Sequence, residues 1–171
     1  MSVLDRLMAR LRAEEGMRSF RYLDSLGHAT IGYGYLLEGH AVETMRALLG
    51  LSLTQAETIA AGAQAITLEQ AEKLLEYTAG SALTDAGDVV GRETWASLPD
   101  DARLVLADMC FQLGDGGVRC FVHMLTAIRM GDFGRAAAEM RDSAWHKQTP
   151  GRCEQLAELM EHCADPPDAD A

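Results

Sequence analysis

Two acids and a hydroxyl stand close together near the start of the chain. Glu15, Asp24 and Thr30 fall within AEEGMRSFRYLDSLGHATIGYGYLL, residues 13–37. Two carboxylates that flank one bond can divide the work of glycoside cleavage. One gives a proton to the departing oxygen, and the other handles the water or the sugar. Thr30 could hold that water with its hydroxyl. An acid pair at this spacing is common on protein surfaces, so the surrounding elements must show that the three side chains meet.

The pattern around them is a helix that ends at an acid and runs into a hairpin. Val3, Leu4, Leu7, Met8 and Leu11 share one helical face, which predicts an amphipathic helix from about Leu4 to Ala13. FRYLDS and ATIGYGYL are rich in aromatic and β-branched residues, with LGH between them, and predict two paired strands. Gly32 and Gly34 inside the second strand suit a place where another backbone or a ligand comes close. Such a helix-to-hairpin turn would set Glu15 on one side and Asp24 and Thr30 on the other.

Residues 41–64 are Ala-rich and predict short helices. Thr67 and Gln70 form a capping box that opens a long helix over about 67–86, with Gly80 a soft spot. SLPDD at 97–101 marks another helix start, and Gly114 a stop. CFVHMLTAIRMGD and FGRAAAEMRDSAW predict two more helices, HKQTPGR a turn, and Pro150 the opening of a last one. The expected organisation is α+β and mostly α-helical. A small lobe covers about 14–66, a linking helix 67–86, and a helical lobe 90–163 together with the N-terminal helix. The acidic, Pro-rich end from residue 164 is expected to be disordered.

The formal charge is −11, from 26 acids and 15 bases. That argues against non-specific nucleic-acid binding and against docking on anionic membranes. Residues 1–46 carry six bases and six acids, while residues 50–101 carry two and nine. The four cysteines, at 110, 120, 153 and 163, have no Cys-x-x-Cys spacing. All four are expected as reduced thiols, with Cys110 and Cys120 as small core residues. The opening helix is interrupted by Arg6, Arg10 and Arg12, unlike a signal peptide. The product is therefore expected to stay in the cytoplasm until something releases it, without stable membrane insertion.

Four blocks carry more than the acid pair does. The run from Glu15 to Gly34, then ITLEQAEKLL, MCFQLGDGGVRCF and SAWHKQTPGR, resembles the phage T4-type lysozymes, the muramidases of glycoside hydrolase family 24. The blocks occur in family order and span about residues 14–152. The resemblance implies the two-lobe fold of that family, with a long inter-lobe helix. It implies cleavage of bacterial peptidoglycan by a monomer without metal or cofactor. Glu15 would be the general acid, Asp24 the carboxylate supporting the water or the oxocarbenium-like centre, and Thr30 the residue that positions the water. The family is described as inverting, which places the two carboxyl groups about 6.5–9.5 Å apart.

The resemblance assigns Leu36, Phe111, Gln112, Trp145 and Gln148 to the substrate, with Thr149 on the same edge. It places Arg152 and Tyr22 in support, Arg152 as the partner of the catalytic Glu. Phe111 is read from the residues as core, and a buried core fits Trp145 at least as well. Tyr35 and Thr78 depart from the family's His–Asp pair, and Leu26 and Ala144 from a Glu–Arg pair. His28 and His123 show no evident partner and are read as surface or helix residues. The expected role is an endolysin that reaches the wall through holin-type release. The alternative is a lysozyme fold kept as a binding or scaffold module, against which the intact Glu15, Asp24 and Thr30 speak.

Overall fold

The computed structural model describes residues 1–24 and 26–164. Among them are ten helices and one three-stranded antiparallel sheet, the mostly helical α+β class expected. Residues 165–171, the bulk of the expected disordered tail, lie outside the described residues. Two compact units separate, Leu4–Gly80 and Met1–Val3 with the chain from Ser81. The unit Leu4–Gly80 takes in the N-terminal helix from Leu4, which the sequence reading groups with the helical lobe.

In the unit Leu4–Gly80, helix α1 (Val3–Glu15) buries Leu7 and Leu11, four apart on one face. Arg12 on its last turn holds Glu72 through Nε and a terminal nitrogen, the latter at 2.6 Å from Oε2. Gly16 follows with φ +64° and turns the chain away from the helix. Strand β1 (Arg18–Leu23) then pairs with β2 (Ala29–Gly32), and β2 with β3 (Tyr35–Leu36). The β1–β2 register shifts between Arg18 and Tyr22, so β1 bulges there. The Ser19 carbonyl, inside that stretch, accepts the Ile66 N–H at 2.8 Å.

The expected single second strand is two strands. Gly32 and Gly34 take φ of +67° and +88° and form the tight turn between them. A Cβ on Gly32 would meet Ile66 and Ala71 at 3.5 and 3.6 Å, ordinary contact distances. The backbone angle, not crowding, is what demands glycine here.

Helices α2 (Ala41–Leu49) and α3 (Leu53–Ala60) are the short helices expected. Gly50, in the left-handed region, closes α2, and a Ser52–Gln55 capping box opens α3. Thr67 and Gln70 exchange the two capping-box hydrogen bonds, at 3.1 and 2.9 Å, ahead of α4 (Leu68–Val90). That helix runs on past the expected end at 86, and the boundary between the units falls within it, after Gly80.

The second unit is all helical. Helix α5 (Arg92–Ser97) was not foreseen; Arg103 caps it by donating to the carbonyls of Trp95 and Ala96. Helix α6 (Asp100–Arg119) carries the central apolar run, with Leu104, Val105, Leu106 and Met109 buried. Gly114 breaks its geometry (φ +68°, ψ 165°), where a stop was expected, and the helix resumes to Arg119. Helices α7 (Val122–Arg129), α8 (Phe133–Arg141) and α10 (Pro150–His162) bury Met124, Ile128, Met140, Leu156 and Met160. The single helix expected over 133–145 is two. Asp142 leaves helical angles, and the Ser143 hydroxyl accepts the His146 N–H to start α9 (Ala144–Gln148), which takes up His146–Gln148 of the expected turn.

All four cysteines are free thiols, but Cys120 is exposed rather than core, because it ends α6. Burial pushes the Cys110 thiol up to about 12 and Cys153 to about 11. In the native protein a disulfide-exchange reagent is therefore expected to label Cys120 first and Cys110 and Cys153 only on unfolding. Mass spectrometry of partly labelled protein checks this, and early label on Cys153 would contradict it.

Candidate active site

All three residues proposed for chemistry fall in the unit Leu4–Gly80. Glu15 is the last residue of α1 and is half-buried. Asp24 follows β1, and Thr30 lies in β2 with only 2% of its surface exposed. Tyr22 and Leu36 are the cross-strand partners of Thr30 on either side. The three side chains therefore form one row on one face of the sheet. Burial raises the Tyr22 pKa, and so do the carboxylates of Glu15 and Asp24. The phenol thus sits in the field of both acids. The Arg18 guanidinium stacks 4.4 Å from its ring centroid.

Asp24 is pinned by the backbone that follows it. Its Oδ1 accepts the N–H groups of Leu26 and His28, both at 2.8 Å. Its own N–H donates to the His28 carbonyl at 3.0 Å. Gly27, at φ +90°, makes the turn possible. The His28 N–H is the first cause that holds the Asp24 carboxyl below the usual range, so the group stays an anion. The Thr30 hydroxyl donates to the same His28 carbonyl at 3.0 Å. Its hydrogen is spent, so toward a water Thr30 can only accept.

His28, read from the sequence as lacking a partner, has one. Its ring Nδ1 lies 2.8 Å from Glu38 Oε1. No spacing rule signals this contact, because it reaches across ten residues and two turns. Two of the residues that depart from the family pattern, Tyr35 and Thr78, have made other contacts. Tyr35 is buried and donates to the Ala41 carbonyl at 2.7 Å, its pKa pushed up to about 12 by burial. Thr78 returns its hydroxyl to the Leu74 and Leu75 carbonyls of its own helix.

The remaining assigned residues lie in the second unit. The Trp145 indole N–H donates to Gln112 Oε1 at 2.8 Å. Because that N–H can only donate, it fixes which end of the Gln112 amide is oxygen. Gln112 is left with its NH₂ to offer, and Trp145 with its ring alone. Trp145 is 3% exposed and meets Phe121 edge-on at 6.2 Å, which supports the core role for this residue. Trp145 and exposed Gln148 line a cleft of about 390 Å³ with Phe121, Met124, Glu139 and Ser143. Phe111 is half-buried, short of a full core position. Arg152 donates from Nε to Asp108 Oδ1 at 2.8 Å, with side chains 8% and 0% exposed. Asp108 was missed from sequence, although a lone acid in the apolar run ARLVLADMC is a signal that a buried cation must answer it. Among the described residues no group of three or more His, Cys, Asp or Glu side chains is placed to hold a metal ion. No helix among them is long and apolar enough to cross a membrane.

Comparison with known proteins adds an independent finding. The family model described as Phage lysozyme matches residues 12–163. The chain is 34% identical over 153 residues to the pre-baseplate central spike protein Gp5 of Enterobacteria phage T4. That match covers 88% of the chain but spans only 26% of the spike protein. It is 26% identical over 157 residues to Probable T4-type lysozyme 2 of Dictyostelium discoideum, and 27% over 155 to Probable T4-type lysozyme 1. Each of these matches covers 88% of the chain and 91% of the relative.

Proposed function

Since the chain belongs to the phage lysozyme family, we propose that it is a muramidase that cuts the β-1,4 bond between N-acetylmuramic acid and N-acetylglucosamine in bacterial peptidoglycan. The observation that carries this reading is that the pinned Asp24 carboxylate and the Thr30 hydroxyl, whose own hydrogen is already used, are both tied to the His28 backbone. A water between them gives one hydrogen to Thr30 Oγ1 and the other to the Asp24 carboxylate. Its lone pairs are then left for the anomeric carbon. Glu15 gives its proton to the glycosidic oxygen as the C–O bond breaks. The water oxygen bonds to the anomeric carbon and its proton passes to Asp24. Attack by a held water inverts the anomeric configuration.

We place the enzyme as an endolysin, made in the host cytoplasm and released to the wall through a holin-type pore. The likeness to a T4 spike protein favours a second deployment of the same chemistry, within a phage particle. Clearing of outer-membrane-permeabilised Gram-negative cells tests the activity. A folded protein that clears none of them overturns it.

Charge sets the salt dependence. The chain carries −11, and peptidoglycan stems are acidic, so long-range attraction does not aid the encounter. The lysis rate is expected to hold or rise as salt is added from low ionic strength. A steep fall between low and moderate salt contradicts this.

A further inference from the structure

We propose that His28 is a positioning residue for this reaction, and that the contact of its ring with Glu38 holds in place the backbone on which both Asp24 and Thr30 depend. The proposal rests on the muramidase reading for its activity arm. The geometry is local and redundant. The His28 N–H donates to Asp24 Oδ1, and its carbonyl accepts from the Asp24 N–H and from the Thr30 hydroxyl, at 2.8, 3.0 and 3.0 Å. Both reaction groups thus hang on one peptide segment, whose side chain is the remaining handle.

That handle is tied down. The imidazole Nδ1 lies 2.8 Å from Glu38 Oε1. Glu38 itself is anchored, since its carbonyl accepts the Ala41 N–H at 3.0 Å at the start of α2, and the preceding Leu37 N–H donates to Ala29 at 2.8 Å. The ring therefore links the Asp24 turn to the segment between β3 and α2. Glu38 and Asp24 are the charged groups that act on the imidazole, and both favour its protonated form. A raised pKa means the clamp is complete below the ordinary imidazole value of 6.5 and weakens as pH rises through the higher folded value. The two side chains are 45% and 52% exposed. An exposed pair of this kind is worth only about a threefold change in rate.

Glu38→Gln, His28→Gln and the double variant test this at equal folded fraction by circular dichroism. In each single variant kcat on soluble wall fragments is expected to fall about threefold with KM unchanged, and the double variant to fall no further. The parent's kcat is expected to carry a step of about threefold that falls as pH rises through the imidazole range, and Glu38→Gln to lack that step. Carboxyl carbon NMR reads the clamp without activity. Removing the Glu38 charge alone would lower the Asp24 pKa, and His28 is protonated throughout that range. A rise of the Asp24 value in Glu38→Gln therefore reports lost N–H donors. Parent-level kcat in both single variants, losses that add in the double, or an Asp24 titration that does not rise would each overturn the proposal. If the parent itself releases no reducing ends, the muramidase reading has failed, and the Asp24 titration alone decides the clamp.

Discussion

Replacing Glu15 by Gln is expected to lower kcat on peptidoglycan by about 10²–10⁴-fold, the span usual for loss of a general acid. The substitution keeps the shape of a half-buried side chain at the end of α1, so the fold should survive. What it removes is a transferable proton. The alkoxide of a sugar is a poor leaving group and needs that proton as the bond breaks. KM should change little, because the loss is confined to the transition state. A glycoside whose leaving group departs without protonation should lose far less. The role assigned to Glu15 is lost if the Gln variant works within tenfold of the parent on wall fragments.

Asp108→Ala is expected to be the most damaging substitution for stability. Its carboxylate is fully buried and paired with the buried Arg152 guanidinium. Breaking such a pair costs about 3–5 kcal/mol. For a chain of this size that is a fall of about 10 °C in the melting midpoint. The Arg12–Glu72 pair is shorter, 2.6 Å, yet its side chains are 39% and 31% exposed. Water screens it, and Glu72→Ala should cost no more than about 1 kcal/mol. Burial, not distance, therefore ranks the two. Replacing Asp108 and Arg152 together by Leu and Met should recover part of the loss, since apolar packing can stand in for a buried pair. Thermal scans of the three variants beside the parent check the order. A Glu72→Ala loss equal to that of Asp108→Ala would show the ranking to be wrong.

What was legible from the sequence was what local rules encode. The Thr67 and Gln70 box, the Leu7 and Leu11 face and the Gly114 break depend on neighbours within a turn or two. The Glu15–Gly34 block gave the candidate acids and the hairpin that presents Asp24 and Thr30. The split of the second strand at Gly32 and Gly34 was misjudged, because a strand weakened by glycine and a turn made by glycine share one composition. Cys120 was misplaced because an adjacent Phe does not decide which way a helix end faces. His28–Glu38 was beyond reach, and so was the identity of the Asp108 partner although the lone acid itself was a signal, since each contact joins side chains brought together only by the fold. Trp145 was open between core and cleft, and its hydrogen bond to Gln112 gives it some of both.

The central claim is the bond that is cut, and the sugar left at the new reducing end identifies it. Purified peptidoglycan is digested with the parent and with Glu15→Gln at matched folded fraction, reduced with borohydride, and the products are resolved by mass spectrometry. A muramidase leaves reduced N-acetylmuramic acid, present with the parent and absent with the variant. Reduced N-acetylglucosamine, or no reducing end from a folded parent at any salt concentration, would contradict the assignment.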